Sequence, residues 1–173
     1  MKNILLTLAL LVSFSSFGQT VQYKSSKMSF NYPVDYKLNE RRIIQDVLVK
    51  LVPKDYSKSE NIVVNVNYEY SSLDQVDKQK HINKLLNETE IAMKKIRAKY
   101  ESSILSYENK NIYGKDVISV LSKIDLIDYE MTIFQLNYLY VENGRSCYIT
   151  VSYDDEIDYN PIADFILKDF KFL

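Results

Sequence analysis

One cysteine, one histidine, three glycines, three prolines and no tryptophan stand in a chain of 173 residues. Each scarcity removes a class of chemistry. A lone Cys147 cannot close an internal disulfide. With Gly18, Gly114 and Gly144 as the only glycines, no Gly-x-Gly-x-x-Gly turn and no phosphate-cradling loop can be built. The His-Glu-x-x-His and Gly-x-Ser-x-Gly patterns are missing as well. Neither sign of charge prevails: 22 basic against 23 acidic residues leave a formal −1, so bulk electrostatics draw the chain neither to nucleic acid nor to an anionic membrane. Beyond the amino-terminal stretch, no apolar run is long enough to cross a bilayer.

What is present is a normal apolar fraction, 46%, with 15 tyrosines, a residue that suits pleated, half-buried surfaces. The opening "MKNILLTLALLVSFSSFGQT" has a basic start at Lys2, an apolar run Ile4–Val12, and small residues Ser16 and Gly18 placed for cleavage before Gln19. This pattern predicts a secretory signal peptide over residues 1–18. Residues 19–173 are then expected to form a single domain that is periplasmic or secreted, with no membrane insertion after cleavage. An exported chain with one thiol must draw its stability from its core.

Alternating apolar residues predict strands at 28–33 and 61–70, and 47–53 reads as a strand apolar on both faces except Lys50; Pro33 and Pro53 stop the strands that precede them. From Leu73 to about Tyr100 the spacing turns helical: Ile82, Leu85, Leu86, Met93 and Ile96 mark the apolar stripe, and Ser72 with Gln75 reads as a capping box. Strands follow at 104–113 and 117–124 around Gly114, then at 129–141 and 145–153 around Asn143-Gly144, a strong hairpin signal. A short helix beginning near Pro161 presents Ile162, Phe165 and Ile166. The expected class is α+β: a mainly antiparallel sheet of six to seven strands packed with one long and one short helix. The long helix is expected to cover the sheet face that carries Val64, Val66 and Tyr68.

Two loop residues at 143 and 144 set the hairpin register. Tyr140 then opposes Cys147, and Tyr138, Ile149 and Val151 share their face, so Cys147 reads as a buried apolar residue and not as a nucleophile. His81 reads as a surface residue of the long helix, one step off its stripe. Leu139 and Tyr148 fall on the opposite, more polar hairpin face and are expected to be exposed, which makes them candidates for a binding surface. The acids Asp154, Asp155, Glu156 and Asp158 form a second candidate surface. They lack the glycine and the spacing of a calcium loop, so the plain reading is a solvated turn before a helix. Asp125 and Asp128 could form an acid pair, but two acids at a strand connection are ordinary. No catalytic residue, metal ligand or cofactor is expected.

Several segments together have a familiar order. "FNYP", "VLVKLVP" and "NIVVNVNYEY" lead into the long helix; "NIYGKDVISVLS", "QLNYLYVENGRSCYITVSY" and "ADFILKDFKF" follow. This arrangement resembles the PsbP-like superfamily, whose fold is shared by the photosystem II protein PsbP, a Ran-binding yeast protein and DcrB-type bacterial envelope proteins. The resemblance implies an α/β/α sandwich around an antiparallel sheet, no common catalytic residues, and a domain used to bind or stabilise other proteins. The expected function is that of an exported, non-enzymatic protein acting on an envelope protein partner by contact. The alternatives are an envelope module that binds a small ligand or cation and, last, an acid-pair hydrolase.

Overall fold

The computed structural model describes residues 19–42, 47–55, 60–154 and 160–173. The expected signal peptide and Asp155, Glu156 and Asp158 lie outside them. Among the described residues, ten strands and two α-helices run in the order β1 (Thr20–Lys24), β2 (Met28–Pro33), β3 (Tyr36–Arg42), β4 (Val47–Pro53), β5 (Asn61–Asn67), α1 (Lys78–Ile96), β6 (Tyr100–Ile112), β7 (Lys115–Leu126), β8 (Met131–Glu142), β9 (Arg145–Tyr153), α2 (Asn160–Asp169) and β10 (Lys171–Phe172). A large antiparallel sheet has the strand order β3-β4-β5-β9-β8-β7-β6, and a small one has β1-β2-β10. The architecture is α+β, as expected.

Two tight hairpins of the large sheet, β8–β9 and β6–β7, are set by their turns. Asn143 and Gly144 have φ of 51° and 72°, the left-handed pair of a tight two-residue loop whose twist matches the strands. Their register places Tyr140 opposite Cys147 and Phe134 opposite Tyr153, as the sequence predicts. The other turn puts a tyrosine, Tyr113, at φ 51° beside Gly114, a position that disfavours bulky side chains. Asn111 holds it: its amide donates to Asp116 at 2.6 Å and its carbonyl accepts from Gly114 N at 3.2 Å.

Three strands escape the periodicity. β1 buries only Tyr23, and β10 is two residues long. β3 reads "YKLNERR", four charges in seven residues, because it is an edge strand, where charge blocks pairing with other chains.

The face carrying Val49, Leu51, Val64, Val66, Tyr138, Cys147 and Ile149 is covered by the small sheet and α2, not by the long helix. Phe30 and Met28 press on it from β2, and Ile162, Ile166 and Leu167 from α2. Phe170 and Phe172 pack edge-to-face at 5.0 Å, and Tyr140 stacks on Phe172 at 5.7 Å. Tyr138 donates to Asp164 at 2.9 Å, tying β8 to α2 with a satisfied hydroxyl.

The long helix α1 takes the opposite face. It spans from β5 to β6, crossing β9, β8 and β7. Its start is later than the capping box suggests. Ser72 makes no side-chain cap, Leu73–Gln75 form one 3-10 turn, and α1 begins at Lys78 with Asp77 accepting from Lys80 N at 2.7 Å. It ends at Arg97, whose φ of 56° turns the chain out, with Ala98 N returning to Met93 O. β5 stops at Asn67, so Tyr68 is 64% exposed and leaves the core assigned to it.

Candidate functional site

Cys147 sits in β9 between Val66 of β5 and Tyr140 of β8, fully buried, and burial pushes its thiol well up. His81 lies beyond the sheet on the α1 side. A Cys–His dyad is therefore excluded by placement, since the sheet stands between the two side chains.

His81 itself is not at the surface: it is 1% exposed. The stripe that α1 buries is His81, Leu85, Thr89 and Met93, a strict every-fourth-residue line. Of the sequence stripe, Leu85 and Met93 are buried as expected, but Ile82 and Leu86 are only half-buried and Ile96 is 52% exposed. Leu85 and Met93 belong to both stripes, and the centre of the buried line is turned by roughly 30–40° from that of the sequence stripe, toward His81 and Thr89. The reason lies across the interface, where the sheet offers polar and aromatic partners as well as apolar ones. Tyr107 of β6 reaches His81 Nδ1 at 3.3 Å, and the rings of Tyr107, Tyr148 and Tyr70 stand around the imidazole at 5.8, 6.1 and 6.5 Å. Whichever tautomer is present, Nε2 is buried without a hydrogen-bond partner.

Leu139 and Tyr148, expected to be exposed, are 1% and 8% exposed, and α1 is what covers them. No partner can reach either while α1 is in place. The Tyr148 hydroxyl donates to Glu69 at 2.7 Å, Lys84 Nζ reaches the same hydroxyl at 3.2 Å, and Lys84 forms an ion pair with Glu69. Lys84 also rides 4.4 Å above the Tyr148 ring. Burial pushes the Glu69 carboxyl up, but Lys84 and Tyr148 outweigh it and hold the carboxyl below its ordinary value. Burial, then the bond and charge of Glu69, push the Tyr148 phenol far up. Burial, then the Lys84 charge, pull His81 down to about 4, with Glu69 opposing. At neutral pH the imidazole is uncharged.

Tyr107 is shared between this cluster and the surface. Its far side lines an open groove of about 1040 Å³ at the hairpin end of the sheet. One wall is the 71–78 segment, the second is the β6–β7 hairpin, and the third is the end of β8 with Asn143. Ile118, Val141 and Tyr107 line it from one face of the sheet and Tyr140 from the other, and Asp74, Asp116, Glu142, Lys78, Lys110 and Lys115 supply both signs of charge. Most of these charges have local duties. Lys115 Nζ donates to Lys168 O at the end of α2, and Lys110 pairs with Glu108. Such a surface can hold a ligand by shape and by many weak polar contacts; its lining contains neither histidine nor cysteine. Sequence reasoning missed the groove because its walls lie far apart in the chain.

The other candidates are quiet. Asp154 is exposed at the end of β9. Asp125 bonds Thr132 at 2.6 Å and pairs with Lys123 at 2.8 Å, while Asp128 accepts from Lys99 N at 3.0 Å. Both acids are structural. Among the described residues, no group of three potential metal ligands comes together.

No family model matches the chain, and no curated protein sequence matches it. Solved structures do. The solution structure of cyanobacterial PsbP (CyanoP) from Synechocystis sp. PCC 6803 is similar at TM-score 0.61 and 13% identity, over 90% of this chain and 92% of that one. A crystal structure from Bacteroides thetaiotaomicron VPI-5482 is similar at TM-score 0.58 and 11% identity, over 91% of this chain but 49% of that one, so this chain spans about half its length. At these identities the likeness concerns the fold, which is PsbP-like.

Proposed function

We propose that this chain is an exported, non-enzymatic protein of the cell envelope that works by contact with another protein, and that the contact is made at the groove. The observation that carries this reading is the groove itself: an open, three-walled surface of about 1040 Å³ whose lining combines both signs of charge with apolar and aromatic side chains. A patch of that kind favours a polypeptide segment of mixed charge over a small anion or cation, because neither sign dominates. The PsbP-like fold is compatible with a protein-interaction module. The burial of Cys147 and the neutral, enclosed His81 support a role without covalent chemistry.

The test is comparative capture. Tagged protein beginning at Gln19 is cross-linked in envelope extract beside an Asp74→Lys/Asn109→Trp variant, which reverses an exposed charge and fills the groove from β6. The variant should keep its Tm within a few degrees and lose the captured partner at least tenfold, a cost of about 1.4 kcal/mol. Equal capture by both proteins would remove the groove from consideration.

A further inference from the structure

We propose that α1 is a releasable cover: protonation of His81 detaches it from a sheet that stays intact. Three observations converge on this. The first is topological. α1 is a crossover above β9, β8 and β7 and contributes no strand ladder, so its departure breaks none of the sheet's hydrogen bonds.

The second is the composition of its contact. Of the four residues that α1 buries, two are polar, His81 and Thr89. Thr89 spends its hydroxyl on Leu85 O at 3.0 Å within the helix. Leu85 and Met93 alone are buried apolar anchors, and they join separate small clusters, Leu85 with Ile118, Val120, Leu139 and Tyr148, and Met93 with Ile124 and Leu126.

The third is unmet polarity. His81 Nε2, Asn137 Nδ2 and Asn65 Oδ1 are buried without a hydrogen-bond partner, and all three belong to this face of the sheet. Each such atom costs free energy in the closed state that water returns on opening.

The trigger follows from what surrounds the imidazole. Tyr70 from the stretch after β5, Tyr107 from β6 and Tyr148 from β9 face it with rings. On its own helix Lys84 opposes a second positive charge, and Lys78 lies over the Tyr107 ring at 5.1 Å. Glu69 is the carboxylate that favours the charged form, and Lys84 and the Tyr148 hydroxyl already occupy it. Asp77 is engaged as the α1 cap. A proton on His81 therefore finds no free anion in place, and finds water once α1 lifts. Because Val76 and Lys78 wall the groove, release of α1 also opens one side of it.

Hydrogen exchange with mass-spectrometric readout tests this on the chain from Gln19, with amide protection corrected for the intrinsic effect of pH. The imidazole sits at about 4 in place and about 6.5 when free. The opening constant of α1 should therefore rise about thirtyfold between about pH 7.5 and about pH 5. Peptides from β4, β5 and β9 should keep their protection over that range. Cys147, probed with a disulfide reagent that reacts in acid, should stay unlabelled while α1 exchanges. In His81→Phe, an aromatic of similar size, the rise in α1 exchange should vanish; should that variant not fold, the imidazole titration followed by NMR in the unaltered chain must coincide with the loss of α1 protection. A rise below about threefold, the same rise in His81→Phe, or labelling of Cys147 in step with α1 exchange would each overturn the proposal.

Discussion

The two faces of the large sheet are held by different chemistry. One is largely apolar: small sheet, α2 and the strands interlock through fully buried Phe30, Leu51, Ile149, Ile166 and Leu167, and its polar links, Tyr138 to Asp164 at 2.9 Å and Tyr36 to Glu60 at 2.8 Å, are satisfied. The other is mixed: α1 rests on it through two apolar anchors, a tyrosine-ringed histidine and a Lys84–Glu69–Tyr148 network, with three polar atoms left unpaired. An apolar face holds its layer strongly and without conditions. A mixed face holds its layer conditionally, because protonation or water competes for the same groups. The difference explains how one sheet can carry a permanent layer and a conditional one.

The sharpest way to break that comparison is to damage the apolar face. Ile149→Ala should cost about 2–5 kcal/mol, because its neighbours are packed on both sides and cannot collapse into the void. Urea unfolding would read it, and a loss below about 1 kcal/mol would mean that the apolar face is not the source of stability.

Next comes pH. The folded value of His81 lies below its unfolded one, so the unfolded chain takes up the proton first as pH falls. Stability is full above about pH 6.5 and declines toward about pH 4, by up to about 3 kcal/mol for a shift of that size. Glu69, also held low, loses its contribution in the same direction. The difference between wild type and His81→Phe across a urea series at several pH values isolates the imidazole's share, and parallel curves would refute it.

A smaller contrast lies within α1. Leu85→Ala, at a buried anchor, should cost about 2 kcal/mol, whereas Leu86→Ala, half-buried, should cost under about 1 kcal/mol. Equal losses would place the helix in the orientation that the sequence stripe suggests. The smallest effect is at the start of α1: Asp77→Ala removes the acceptor for Lys80 N and should cost about 1 kcal/mol, seen as weaker protection in the first turn of α1 alone.

Local signals were legible wherever the code is local. Strands at 28–33, 47–53 and 145–153 have the bounds that the sequence predicts, and Asn143-Gly144 specified both the turn and the burial of Cys147. β3 was illegible because an edge strand carries charge where a central strand carries apolar residues. The groove was illegible because its walls meet only after the 71–78 segment, β6 and β8 are assembled.

By itself, the sequence determined the strands with clear period-two alternation, the tight hairpin, the presence of a long helix, and the inert placement of the single thiol. These depend on side-chain period and on the φ preference of two turn residues, both of which act over a few positions. Only the tertiary structure decided which face α1 covers and which of its sides it buries. Tyr70, Tyr107 and Tyr148 come from three distant segments and stand around His81, while Val64 and Val66 are packed against β2 and α2. A helix's apolar stripe states that a side will be buried. The partner surface chooses which side, because burial energy is a property of the pair and not of the helix.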